Sequence, residues 1–290
     1  MGTQIELYKL CQLTYSWRKG TSEGKTADIY LGGIVGSATS CEKTTYQGAL
    51  TVKGSKAFYV GGIIGKGESV TEASATVVLN LTGGKGTSTL VGGIAGYISS
   101  AITNSQAKAN LGATSQGAGV LNMGGIAGQV KSANKDLAIL SDNTVLEGST
   151  LTGSSDQGAT VSIGGIAGLA NGEFGYNVAT AKISASSIST SGKGSVYAGG
   201  AFGQIEKGSS AYCTTVINGQ VDGSASENVV VGGVVGQNLA TIAISYAYGG
   251  TVNANLTTAG KVGNAGGFVG KNVGSVEECY ASVRVAGNIA

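Results

Sequence analysis

The feature that most constrains this 290-residue chain is a five-residue signature, Gly-Gly-x-x-Gly, which returns eight times. The paired glycines are Gly32 and Gly33, Gly61 and Gly62, Gly92 and Gly93, Gly124 and Gly125, Gly164 and Gly165, Gly199 and Gly200, Gly232 and Gly233, and Gly266 and Gly267. The third glycine of each copy follows after two apolar residues, as Gly36, Gly65, Gly96, Gly128, Gly168, Gly203, Gly236 and Gly270. Successive copies begin 29 to 40 residues apart, about 33 on average. A period of this length marks a supersecondary unit that hides its apolar face only by stacking on its neighbours.

Helical repeats of similar length need unbroken runs of Ala, Leu, Glu and Lys. These units are interrupted by glycine and rich in Val, Ile, Thr, Ser and Tyr, which favours strands. Proline is absent, which suits strands that each need their N–H for a ladder. The expected fold is therefore all-β, a parallel β-solenoid (β-helix) of about nine coils. Each unit reads as three short strands. One runs through the glycine motif, a second lies near a tyrosine such as Tyr46, Tyr246 or Tyr280, and a third covers segments such as 49–52, 77–79 and 283–285. Residues 1–28 read as a part-repeat or cap, and 29–290 as the array, ending part-way through a repeat.

The glycines serve as structural corners, where a missing Cβ permits either positive φ or close backbone approach. An apolar residue precedes every pair and another follows it. Strict alternation would put those on opposite faces, so either the pair kinks the strand or both strand faces are buried.

Composition narrows the function classes. Glycine contributes 52 residues, yet 41% of the chain is hydrophobic, enough to bury a core and set it apart from a flexible linker. The net charge is +2, with lysines scattered along the units and no basic stripe, so nucleic acid is not an expected partner. No run approaches the roughly 20 apolar residues of a membrane helix, and none is expected to insert. With no histidine, Ser-His-Asp and Cys-His constellations and the usual zinc sites are excluded. The acids are dispersed, and Glu277 and Glu278, adjacent on a strand, would face opposite ways. No aspartate follows the glycines as a calcium nonapeptide requires, and no helix follows them as a dinucleotide fingerprint requires. No cofactor, metal or catalytic residue is expected.

The stretches GGVVGQNLATIAISYAYGGTV and GGFVGKNVGSVEECYASVRVAG resemble the GLUG repeat of large bacterial surface proteins, among them adhesins and proteins of the immunoglobulin A protease type. The likeness is strongest from residue 229 onward and covers 30–290 in outline. It implies a β-solenoid, a surface location and adhesion. It does not imply catalysis, since the repeats are not the protease domain and no HExxH is present.

Three functions follow as expectations: a structural or adhesive segment of an extracellular surface protein, a filament subunit stacking head to tail, and a polysaccharide-acting enzyme. The corresponding partners are neighbouring repeats or a second copy of the chain, together with surface glycans or host proteins. Two further sets of residues are singled out. Tyr30 and Tyr59 both fall two residues before their glycines, so in adjacent coils they would stack as an aromatic ladder, and Tyr197 repeats the position. Cys11 and Cys41 lie one period apart, a spacing that would let neighbouring coils bridge them by a disulfide.

Overall fold

The computed structural model describes residues 28–54, 57–84, 88–132, 138–155, 157–187 and 194–289. They form a parallel β-solenoid whose three long sheets run along its axis. Rung one shows the plan, with strands at Ile29–Gly32, Val35–Glu42 and Thr45–Gly54, one in each sheet. Eight such rungs follow one another, and each strand pairs with its counterpart one period away. That makes eight rungs joined by about seven turns. Among the described residues the count is thus one short of the nine coils expected.

The three strands divide the period differently from the sequence reading. The glycine pair does not lie inside a strand; it is the corner between the first and second sheets, as Gly61 ends one strand and Ile64 starts the next. The tyrosine segment and the segment after it are instead one strand. Tyr46 and residues 49–52 both fall within Thr45–Gly54, and Tyr280 and residues 283–285 within Tyr280–Ile289. The three tyrosines are not equivalent either. Tyr246 pairs with Tyr280 and with Thr215, whereas Tyr46 sits one position later and points into the core.

None of the 24 motif glycines has positive φ. What they provide is close approach. A Cβ on Gly36 would sit 2.7 Å from the Tyr30 carbonyl oxygen, and one on Gly65 would sit 2.7 Å from that of Tyr59. The second sheet thus runs directly against the first, and the question left open by alternation has a double answer. The pair turns the chain, and the strand before it is buried on both faces. Val91, Met123, Ile163 and Val231 fill the main core, while Leu90, Asn122, Ser162 and Val230, one residue earlier, fill the notch between the sheets.

The corner between the second and third sheets carries no recognisable motif. Each rung turns there through one left-handed residue that is not glycine: Lys43, Glu72, Asn104 and Asp142, then Tyr176, Cys213, Ile244 and Glu278, with φ from 48° to 56°. Glu277 and Glu278 therefore meet at a corner and do not alternate across a strand. The left-handed residue breaks the ladder, and in several rungs a buried polar side chain from the following rung repairs it. Ala73 N–H donates to Ser105 Oγ at 3.1 Å, Ser105 N–H to Asn143 Oδ1 at 3.1 Å, Asn143 N–H to Asn177 Oδ1 at 3.2 Å, and Thr214 N–H to Ser245 Oγ at 3.1 Å.

The core is continuous along the axis, with Phe58, Phe174 and Phe202 fully buried and the last two 5.4 Å apart between ring centroids. The longest period, 40 residues, leaves the rung intact. Its extra residues fall between Val130 and Ile139 and in a bulge after Val145, outside the shared register.

Candidate functional site

Because the core and both corners use up the motif residues, a site must lie on the outer faces. The first candidate is the notch beside the glycine corner in rungs one to three. Tyr30 and Tyr59 pair in register on the first sheet, with ring centroids 4.9 Å apart and planes at 39°. From the second sheet Tyr97 meets Tyr59 edge-on, at 6.4 Å and 84°. Lys66, in register with Tyr97, places its ammonium 5.3, 5.7 and 5.8 Å from the Tyr30, Tyr59 and Tyr97 centroids. That geometry is a cation–π cluster built from three rungs.

The surroundings hold the cluster in place. Tyr97 Oη donates to the Lys131 carbonyl at 2.8 Å, and the Lys131 ammonium pairs with Glu206 at 2.9 Å. Burial first, then Asp28, Tyr30 and Tyr97, push the Tyr59 phenol above its ordinary value. Burial does the same to Tyr97, with Lys131 opposing it. Both remain neutral phenols at physiological pH.

Tyr197 occupies the same first-sheet column, but Leu90, Asn122 and Ser162 intervene between it and Tyr59. It accepts a hydrogen bond from Asn228 Nδ2 at 3.2 Å and belongs to a separate environment. The one-period spacing therefore places Tyr30 against Tyr59. Sequence reasoning missed Lys66 and Tyr97 because they reach the notch from the other side of the glycine corner, seven positions after Tyr59 and Leu90 in their respective rungs. That offset could have been read from the repeat only once the corner was known to fold the two sheets together.

Cys41 is a free, buried thiol whose pKa is raised by desolvation, while its suggested partner Cys11 lies outside the described residues. Cys213 and Cys279 are free and half-exposed. Mass mapping after brief thiol labelling of the native protein is expected to find Cys213 modified well before Cys41, because only the thiolate reacts and Cys41 is shielded.

Among the described residues no three His, Cys, Asp or Glu side chains gather as a metal would require. Two surface depressions are shallow and open. One, about 180 Å³, lies on the third sheet over Asn80, Gly112 and Thr152, and the other, about 330 Å³, beside Glu72, Asn104 and Asp142 at the second corner. No helix of the described residues is long and apolar enough to cross a membrane.

Comparison with known families finds the GLUG motif at residues 262–286. The match spans one rung, from the strand Val262–Gly266 into the strand Tyr280–Ile289. Strand register relates the other seven rungs to it, Gly232 to Gly266 and Gly32 to Gly61 for example. No curated protein and no solved structure matches the chain.

Proposed function

We propose that this chain is a rigid, non-enzymatic β-solenoid segment of an extracellular surface protein, holding adhesive side chains at fixed spacing along a rod. The observation that carries this reading is the use of the repeated residues. Glycines, apolar residues and buried Ser and Asn all serve rung-to-rung stacking, so the architecture is one of length and stiffness with variation confined to outer columns. The GLUG motif in rung eight adds the association with surface proteins.

A second reading, head-to-tail stacking of copies, draws on the parallel in-register pairing that each rung makes with the next. Electron microscopy of the purified chain separates the two. Isolated rods close to 40 Å long, from eight rungs at about 4.8 Å each, fit the segment, and fibres fit stacking. Compact particles, or turnover of an acidic polysaccharide by the purified chain, would overturn the proposal.

A further inference from the structure

A repeat fold contains its own control. Where one rung makes a turn with a given residue, another residue at the same place in a different rung is not dictated by the turn. At the corner between the second and third sheets this comparison isolates a patch. In rungs one to four the left-handed position and the third-sheet position two residues on are polar or charged, with Asn104 and Gln106 as examples. From rung five apolar and aromatic residues enter both positions, with Thr215 and Glu278 the polar exceptions. Tyr176 and Ile244 take the left-handed position, and Tyr246 and Tyr280 the third-sheet one.

These residues are exposed. Tyr176, Tyr212, Tyr246, Tyr248 and Tyr280 keep between 38% and 57% of their surface in solvent, and Ile244 keeps 42%. The backbone does not favour them. Asparagine tolerates a left-handed conformation, as Asn104 shows, whereas a β-branched residue at φ 50°, as Ile244 is, is an outlier that stacking does not require. The rings are also seated. Gly175 has no side chain where a Cβ would fall 2.5 Å from the Tyr212 ring, and Tyr212 meets Tyr176 edge-on at 5.5 Å. Rigid, exposed aromatics held at low entropic cost are the anchors of recognition surfaces.

Charge selects the occupant. In rungs four to eight, the columns through Glu173, Tyr212, Tyr176 and Tyr246 include the carboxylates of Asp142, Glu173, Glu277 and Glu278 and no lysine or arginine. Lys182 and Arg284 share a column further along the third sheet, the one that also holds Gln220 and Thr251. Aromatic faces ringed by carboxylates recognise ammonium and guanidinium groups, as the chain's own Lys66 does over three tyrosines. We infer that this strip binds a lysine- and arginine-rich extended peptide segment of a partner protein, an inference that rests on the adhesive reading above and names its partner class. Three rung steps span about 14 Å, the reach of four or five extended residues.

The test is fluorescence anisotropy with a labelled 12-residue peptide of alternating Lys, Arg and Ser, beside an acidic peptide and a neutral glucan as controls. The full chain is expected to bind the basic peptide alone, more weakly as salt rises. The variant Tyr176→Ser/Tyr212→Ser/Tyr246→Ser should lose at least tenfold in affinity, and Ile244→Asn should lose affinity while melting no lower than the parent. Val78→Ser, exposed on the outer face of the third sheet in rung two, should bind as before. A parent chain that ignores the basic peptide, one that prefers the glucan, or binding that survives the tyrosine substitutions overturns the inference. None of these results touches the rod itself, which fails instead if micrographs show no rods.

Discussion

Gly165→Ala is expected to dismantle the middle of the array, lowering stability by at least about 3 kcal/mol. The added methyl would meet the Gly200 carbonyl oxygen of the next rung and approach the Ala179 Cβ to 2.9 Å. Neither neighbour can withdraw. Gly200 makes the same close approach to Gly233, and that glycine to Gly267, so a shift at one rung is passed along the stack. Thermal melts followed by circular dichroism give the measurement, with Gly112→Ala as control. Gly112 lies in mid-array on the outer face of the third sheet, and a Cβ there meets the Asn80 side chain at 3.3 Å and the Leu79 carbonyl oxygen at an ordinary 3.7 Å. That variant should melt within a degree or two of the parent. Equal losses in both would mean that glycine acts here through chain flexibility and not through contact between rungs.

Asn143→Leu should cost about 2–5 kcal/mol, with little change in side-chain volume. Asn143 is fully buried. Its Oδ1 accepts from Ser105 N–H, and its Nδ2 donates to the Ile102 carbonyl at 3.0 Å and to Asn177 Oδ1 at 3.2 Å. Leucine leaves the Ser105 N–H and the Ile102 carbonyl buried without that partner, while Asn177 Oδ1 keeps only the backbone N–H of residue 143, and the corner's left-handed residue has already removed the ladder bond that would compensate. Thr214→Val is the informative contrast. Thr214 occupies the same place two rungs later and is equally buried, but its hydroxyl has no hydrogen-bond partner. Removing that hydroxyl is expected to be neutral or stabilising by up to about 1 kcal/mol, because an unpaired buried hydroxyl is a cost in the folded state. Urea midpoints of the two variants should move in opposite directions from the parent, or at least far apart. A destabilised Thr214→Val would show that this position matters for packing and not for hydrogen bonding.

Parts of the second corner could be read in the sequence and parts could not. Ser105, Asn143, Asn177 and Ser245 recur near the right spacing, yet they alternate with Ala73 and Cys279, and the left-handed residue before them changes type in nearly every rung. A conformation that many residues can adopt leaves no common letter. The aromatic strip stayed hidden for a related reason. Tyr212 ends a second-sheet strand, Tyr176 is a corner residue, and Tyr246 begins a third-sheet strand, so their sequence offsets differ although their rings line one edge.

The sequence alone determined the fold class, the period and the stacking of like on like, because a missing Cβ is a steric requirement that each rung imposes on the next. It also placed Tyr30 against Tyr59, since residues one period apart become neighbours in a parallel stack. Only the tertiary structure decided that the glycine pair is a corner and not part of a strand, and that Lys66 and Tyr97 cross that corner to complete the notch. It likewise showed that the tyrosines of rungs five to eight share one exposed edge. These are relations between different sheets, set by where the chain turns, and turning depends on backbone angles and contacts that no single residue type encodes.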